Sequence, residues 1–222
     1  TFWRSTMIEI DTRLRVARGI AKSESQASVQ VFRTLKRRGH RPFPPPFVSD
    51  GHGGIDEALI TVYGKVPAYS GWGRPPRKKQ AVDGWQYMQL VKQRDAYRRV
   101  TGLAAKVMHG TAAQVKKQLP MHLSYGERTH LTMRVFNSRL VRKGLAFSKS
   151  LAMHRAAAAW DDLYYNWVHT VKTLRVPAIE PGIKKWEPCT PAMAAGLTMQ
   201  PWTPKDLLSW VIPPNVKQHS KG

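Results

Sequence analysis

"PPPFVSDGHGGIDEALITVYG", residues 44–64, is the stretch whose reading decides the fold. Three prolines stiffen the approach. Phe47 to Ser49 then reads as a short strand, because a brief apolar run bounded by turn-forming residues is too short to be a helix. Asp50 ends that run, "GHGG" turns the chain, and Ile55 to Tyr63 reads as a helix. An acid at the carboxyl end of a strand, just before a turn into a helix, is where α/β sheets build their sites.

Working back from residue 44, Phe2 to Ile10 is rich in β-compatible residues. "IDTR" offers a turn, and Leu14, Val16 and Ile20 alternate with Arg13, Arg15 and Ala17, which is a hairpin pattern. Ser23 and Gln26 stand at capping-box spacing, so a helix is expected over "ESQASVQVFRTLKRRG". Ala27, Val31 and Leu35 share one face of it, and Gly39 follows as its C′ residue.

Working forward, 67–84 reads as a loop in which Arg74, Arg77, Lys78 and Lys79 lie among Tyr69, Trp72 and Trp85. "WQYMQLVKQR" reads as a strand, and 98–121 gives no clear signal. "ERTHLTMRVFNSRLVRKG" spaces Met133, Phe136 and Leu140 as a helix with Arg128, Arg139, Arg142 and Lys143 elsewhere on its surface. A long helix is expected from Leu151 to about Thr170, with Met153, Ala157, Trp160, Tyr164 and Val168 packed on the sheet and Arg155, Asp161 and Asp162 in water. Beyond Arg175 the chain is proline-rich, and "TPKDLLSW" opens a short capped helix. Strands alternating with helices imply an α/β chain with a mixed sheet covered by helices.

The charge is lopsided: 36 Lys and Arg against 14 Asp and Glu, a formal net charge of +22. Such an excess points to a polyanion, with nucleic acid first. No run of 18 apolar residues offers a membrane span, and the opening "TFWRSTMIEIDTRLRV" is too charged for a signal peptide. The single Cys189 leaves no intrachain disulfide and no cysteine-based zinc cluster, which fits a reducing cytoplasm.

Against this background two carboxylates stand out, Asp50 at a strand end and Glu127 at the start of a helix. Hard divalent ions such as Mg²⁺ take oxygen ligands from one or two carboxylates and from substrate phosphates. Two such ions activate the attacking oxygen and stabilise the leaving one in phosphoryl transfer. Each acid also has a plainer reading: Asp50 as a turn residue, Glu127 as a partner of the helix dipole. Asp11 is most simply the hairpin turn. His52, His122 and His130 read as ligands or as phosphate contacts. In the same way, the basic loop 74–79 is either a nucleic-acid contact or a solvated loop.

The C-terminal half adds a resemblance. "ERTHLTMR" at Glu127 to Arg134, "FSK" at Phe147 to Lys149, the run Tyr165 to Arg175 and "TPAMAAGL" at Thr190 to Leu197 resemble the signature of insertion-sequence-one-type bacterial transposases. His169 stands roughly at the signature's histidine, with Val171 before Lys172. "SDGHGG" is similar to that family's Asp-Gly-His strand end. The match is specific over 124–210 and loose over 64–121.

The resemblance implies a ribonuclease H-like α/β fold, a mixed sheet flanked by helices, as a core over 1–175 with a loose basic insertion at about 64–121. A proline-rich linker and a short helical extension would occupy 176–222. It further implies DNA strand cleavage and strand transfer on two Mg²⁺ or Mn²⁺ ions, in a bacterial cytoplasm at the nucleoid, by a homo-oligomer on DNA. Asp50 would be the second metal-binding catalytic acid of an Asp-Asp-Glu triad and Glu127 the third. The family's Asp-Glu-aromatic segment has no counterpart here, so the first strand, the first acid and the N-terminal DNA-binding region are expected to be missing. An alternative makes Asp11 the first acid, and two other functions compete: a non-catalytic or decayed nucleic-acid-binding protein of the same ancestry, or an unrelated basic RNA-binding protein. Arg74, Arg77, Lys78, Lys79, Arg128, Arg134, Arg142 and Lys143 would meet the DNA backbone.

Overall fold

The computed structural model describes residues 2–40, 42–69, 71, 73–141, 144–146, 148–178 and 185–210. It is a mixed α/β chain that divides into two compact units, 1–144 and 145–222. The sequence reading had drawn its boundary at 175.

The first unit opens with the expected hairpin, β1 (Trp3–Ile8) against β2 (Arg15–Ala21), antiparallel, with a bulge at Met7/Ile8. Its faces differ from the expected alternation. Arg15, Ala17, Gly19, Ile20 and Ala21 are buried, while Val16 is half-buried. The reason is helix α1 (Glu24–Arg37), which lies against β2 so closely that a Cβ on Gly19 would sit 1.8 Å from the Ala27 carbonyl oxygen. Small residues, not large apolar ones, admit a helix at that distance. Ser23 caps α1 by accepting from the Gln26 amide, and Gly39, at φ +120°, follows the C-cap.

Strand β3 (Phe47–Asp50) pairs parallel with β4 (Tyr87–Arg94), which pairs antiparallel with β5 (Val100–His109). Between β3 and β4 runs helix α2 (Gly54–Tyr63). Side chains of β4 alternate between two cores, as the two-residue period of a strand requires. Tyr87 joins Phe47, Phe32, Leu59 and Tyr63 beneath α1 and α2. Met88 and Leu90 instead meet Val115 and Leu119 of helix α3 (Ala112–Gln118) and its C-cap. The aromatic core is ordered by geometry: Phe47 stacks on Tyr87 at 4.2 Å and Phe32 tilts against Phe47 at 5.3 Å. The stretch 64–121, read as an insertion, therefore supplies β4, β5 and α3. Trp85, which flanks the basic loop and opens the expected strand, is 2% exposed and packs edge-on to His109.

Helix α4 (Ser124–Phe136) stops earlier than its apolar spacing suggested. Asn137 accepts from the Arg139 amide and starts a 3-10 turn, Ser138–Leu140. A side chain that bonds nearby backbone competes with the helix ladder at that point.

In the second unit, helix α5 (Leu151–Leu163) runs into a π-helical turn, Tyr164–Val168. Its buried face is not the expected stripe. Met153 is 56% and Trp160 39% exposed, whereas His154, Ala158, Asp161 and Asp162 are buried. The two acids assigned to water lie inside, because this face is polar and an apolar stripe does not mark it. Two-residue strands β6 (Val176–Pro177) and β7 (Trp186–Glu187) pair, and helices α6 (Pro191–Ala194) and α7 (Pro204–Ser209) pack on the π turn. The cap expected in "TPKD" forms: Thr203 and Asp206 exchange side-chain-to-backbone bonds.

Candidate functional site

Among the described residues, strand β1 pairs only with β2 on one edge, and β3 pairs only with β4 on one edge. Residues of both strands line one groove of about 960 Å³ in the first unit. Asp50 at the end of β3 and Glu127 in the first turn of α4 both line it, as do Glu9, Asp11 and Glu24. Five of the fourteen carboxylates of a chain with charge +22 thus gather at one groove.

Each acid has a different engagement. Glu127 accepts a short ion-paired hydrogen bond from Lys92 of β4, and the two side chains are 57% and 42% exposed. Lys92 lies two residues beyond Leu90, the partner of Asp50 across β3 and β4, so it continues the same strand face past the acid. Asp50 receives a long contact from the His52 amide at 3.4 Å. The His52 ring lies 3.5 Å from Glu24, and the Gln89 amide donates to the His52 carbonyl and to the Tyr87 hydroxyl. Glu9 is taken up by the hairpin turn, where the amides of Asp11 and Thr12 donate to it. Burial alone would push the Glu9 carboxyl up. The bonds from Thr12, Asp11 and Ile10 outweigh that and hold it below its ordinary range.

His130, one turn after Glu127, is pushed below its ordinary value. Desolvation by the groove wall acts first, then the cations Arg134, Arg4 and Arg15, while Asp50 pulls in the opposite sense. Asp50 therefore lies within electrostatic reach of the α4 face that carries Glu127. Arg13, at φ 60°, lays its guanidinium 3.5 Å over the Tyr125 ring and ties the hairpin turn to the start of α4.

Carboxylate oxygens are the donors that Mg²⁺ or Mn²⁺ takes, and the ammonium of Lys92 already stands where a cation would meet Glu127. Among the described residues, no group of three or more His, Cys, Asp or Glu side chains is arranged to hold a metal ion.

The expected DNA contacts divide. Arg74, Arg77 and Lys78 are exposed on their loop, and Lys79 donates to the Thr61 carbonyl at 2.7 Å. The described groove lining includes none of them. Arg128 is exposed on α4 and Arg134 is half-buried near His130. Arg142, Lys143, Trp72 and Phe147 lie outside the described residues. Sequence reading passed over Lys92 and Glu24. Glu24 had a signal, since it directly follows the cap Ser23. Lys92 had none until the pairing of β3 with β4 was known. Among the described residues no helix is long and apolar enough to cross a membrane. In comparisons with family models, curated proteins and solved structures, nothing matches the chain.

Proposed function

We propose that the first unit is the catalytic core of a DNA transposase, ribonuclease H-like in fold, which as it stands binds DNA without cutting it. One observation carries this reading: Asp50 and Glu127, from distant parts of a strongly basic chain, line the same acid-rich groove. On this reading Asp50 and Glu127 hold a divalent ion, and the surrounding cations hold the DNA backbone. Bound there, divalent ions would supply activation of the attacking oxygen and stabilisation of the leaving one. Lys92 neutralises Glu127 until the ion arrives.

Two measurements test the proposal. Mn²⁺ binding followed by electron paramagnetic resonance should weaken in both Asp50→Asn and Glu127→Gln. Binding unchanged in either variant refutes the metal-site reading. In a nicking assay with Mg²⁺ or Mn²⁺, the chain should retain DNA without cleaving it. Cleavage that disappears in Glu127→Gln would refute the incomplete site and make Asp11 the first acid.

A further inference from the structure

Strand β4 changes character halfway along. Tyr87 to Leu90 pair with β3 on one side and β5 on the other and are buried. From Val91 onward β5 is the partner, and every residue from Val91 to Thr101 is exposed except the half-buried Asp95. The distal half of β4–β5 is thus a two-stranded ribbon that leaves the sheet with both faces in solvent. Its base, Leu90 to Lys92, lines the groove that holds Asp50 and Glu127.

An isolated two-stranded ribbon is marginal in water, and this one is built to hold its shape. Asp95 closes the tip by accepting from the amides of Tyr97 at 2.9 Å and Arg99 at 2.8 Å. The Asp95 amide donates to the Arg99 carbonyl, and Arg94 donates to the Arg98 carbonyl. The only acid of the ribbon is therefore spent inside the turn, while Arg94, Arg98 and Arg99 surround it. Arg98 has φ 63°, the left-handed region. In hairpins of this length that position favours glycine, because a side chain there is strained. An arginine stands at the tip where glycine would fold more easily. Tyr97 beside it is 81% exposed, with the Arg99 guanidinium 5.6 Å from its ring. Charges placed only to protect strand edges from aggregation would not need a strained position or a bare aromatic ring.

We propose that this ribbon is a DNA-binding arm that enters the major groove of duplex DNA, with Arg94, Arg98 and Arg99 on the flanking phosphates and Tyr97 at its leading end. The dimensions agree. About five residues per strand reach roughly 15 Å, and a B-form major groove, about 12 Å wide, admits a two-stranded ribbon. The arm rests on the transposase reading for its partner and deepens it. Because its base lines the acid groove, DNA held on the arm passes that groove.

The test is the salt dependence of binding to a B-form duplex by the full chain and by Arg94→Gln/Arg98→Gln/Arg99→Gln. Each phosphate contact contributes about 0.9 to the slope of log K against log salt, so the variant's slope should be shallower by about 2.7. Between 50 and 200 mM salt the parent should lose about fortyfold more affinity than the variant. Arg98→Gly separates contact from fold: it should raise the melting temperature by relieving the tip and still lower the salt slope by about 0.9. An unchanged slope in the triple variant, with DNA still bound, overturns the arm and leaves the transposase reading standing. No DNA binding by the parent chain overturns both. A-form RNA has a major groove too narrow for side chains, so its salt slope should fall by clearly less in the triple variant than that of the DNA duplex, and an equal fall on RNA overturns groove insertion. Loss of binding to phosphatidylserine vesicles with DNA binding intact would assign the ribbon to a membrane surface and overturn the proposal.

Discussion

Lys92→Gln should tighten binding of Mn²⁺ by the chain. In the structure the Lys92 ammonium is seated on Glu127 Oε1, so an ion that takes Glu127 as a ligand must displace it and then bear its repulsion. Two limits bound the effect. Breaking the pair itself costs little, because both partners are about half exposed and such surface pairs are worth about 0–1 kcal/mol. If the ammonium stays about 4 Å from a doubly charged ion in water-like surroundings, the repulsion is 332 × 2/(80 × 4), about 2 kcal/mol, before screening by salt. Removing the charge should therefore lower Kd by roughly two- to thirtyfold, since about 1.4 kcal/mol is tenfold. Isothermal titration at low salt measures it, with Lys106→Gln on β5 as the control for net charge. An unchanged or weaker affinity in Lys92→Gln would refute the reasoning. It would mean that Glu127 takes no part in holding the ion, and the metal role assigned to it would fall.

Two further outcomes are expected. Gly19→Ala should destabilise the first unit by about 1–3 kcal/mol or more in urea, since the new Cβ would meet the Ala27 carbonyl at 1.8 Å and α1 must back away from β2. Gly53→Ala, with nothing within 4 Å and an ordinary φ of −66°, should change little or gain slightly, and equal losses at both sites would refute the packing argument. His130 is exposed, so solvent screens its share, but it should make stability fall slightly at acid pH. Its native value lies below the ordinary one, so the native state protonates later than the unfolded chain. Its contribution is full above about pH 6.5 and is lost as pH falls through the native value. His130→Gln should flatten that part of a curve of urea midpoint against pH, and a curve of the same slope in the variant would refute it.

The elements that could be read from sequence are those with local signals of their own. Ser23 and Gln26 mark the start of α1, Gly39 marks its end, and the prolines before Phe47 with Asp50 after it isolate β3. The β4–β5 hairpin gave no such signal. Hairpin turns announce themselves by Asn-Gly or Asp-Gly, and here Arg98 occupies the left-handed position, so "DAYRR" does not look like a turn. Its distal strands are exposed on both faces, so they also lack apolar alternation. The buried face of α5 was lost for the opposite reason. It is polar, through His154, Asp161 and Asp162, while Met153 and Trp160 carry the apolar periodicity outward.

The candidate site was legible to a different depth at each residue. Asp50 and Glu127 announce themselves by position, one ending a strand before a glycine turn and one in the first turn of a helix, where an acid has a meaning of its own. What connects them is not local. Asp50 is set beside Leu90 by a parallel pairing across 36 intervening residues of helix and loop, and that pairing carries Lys92 to Glu127. No pattern within β4 distinguishes Lys92 from the exposed Arg94 two residues on. The distinction arises because β3 ends at Asp50 and α4 begins across the groove from that end. The sharing of the five acids is likewise a product of topology. Glu24 belongs to α1, Glu9 and Asp11 to the hairpin, Asp50 to β3 and Glu127 to α4, and only the unpaired edges of β1 and β3 bring these elements to one groove. A reading of acids one at a time ranks Asp11 and Glu24 as a turn residue and a helix-dipole partner. Their common groove is what makes them candidates to act together.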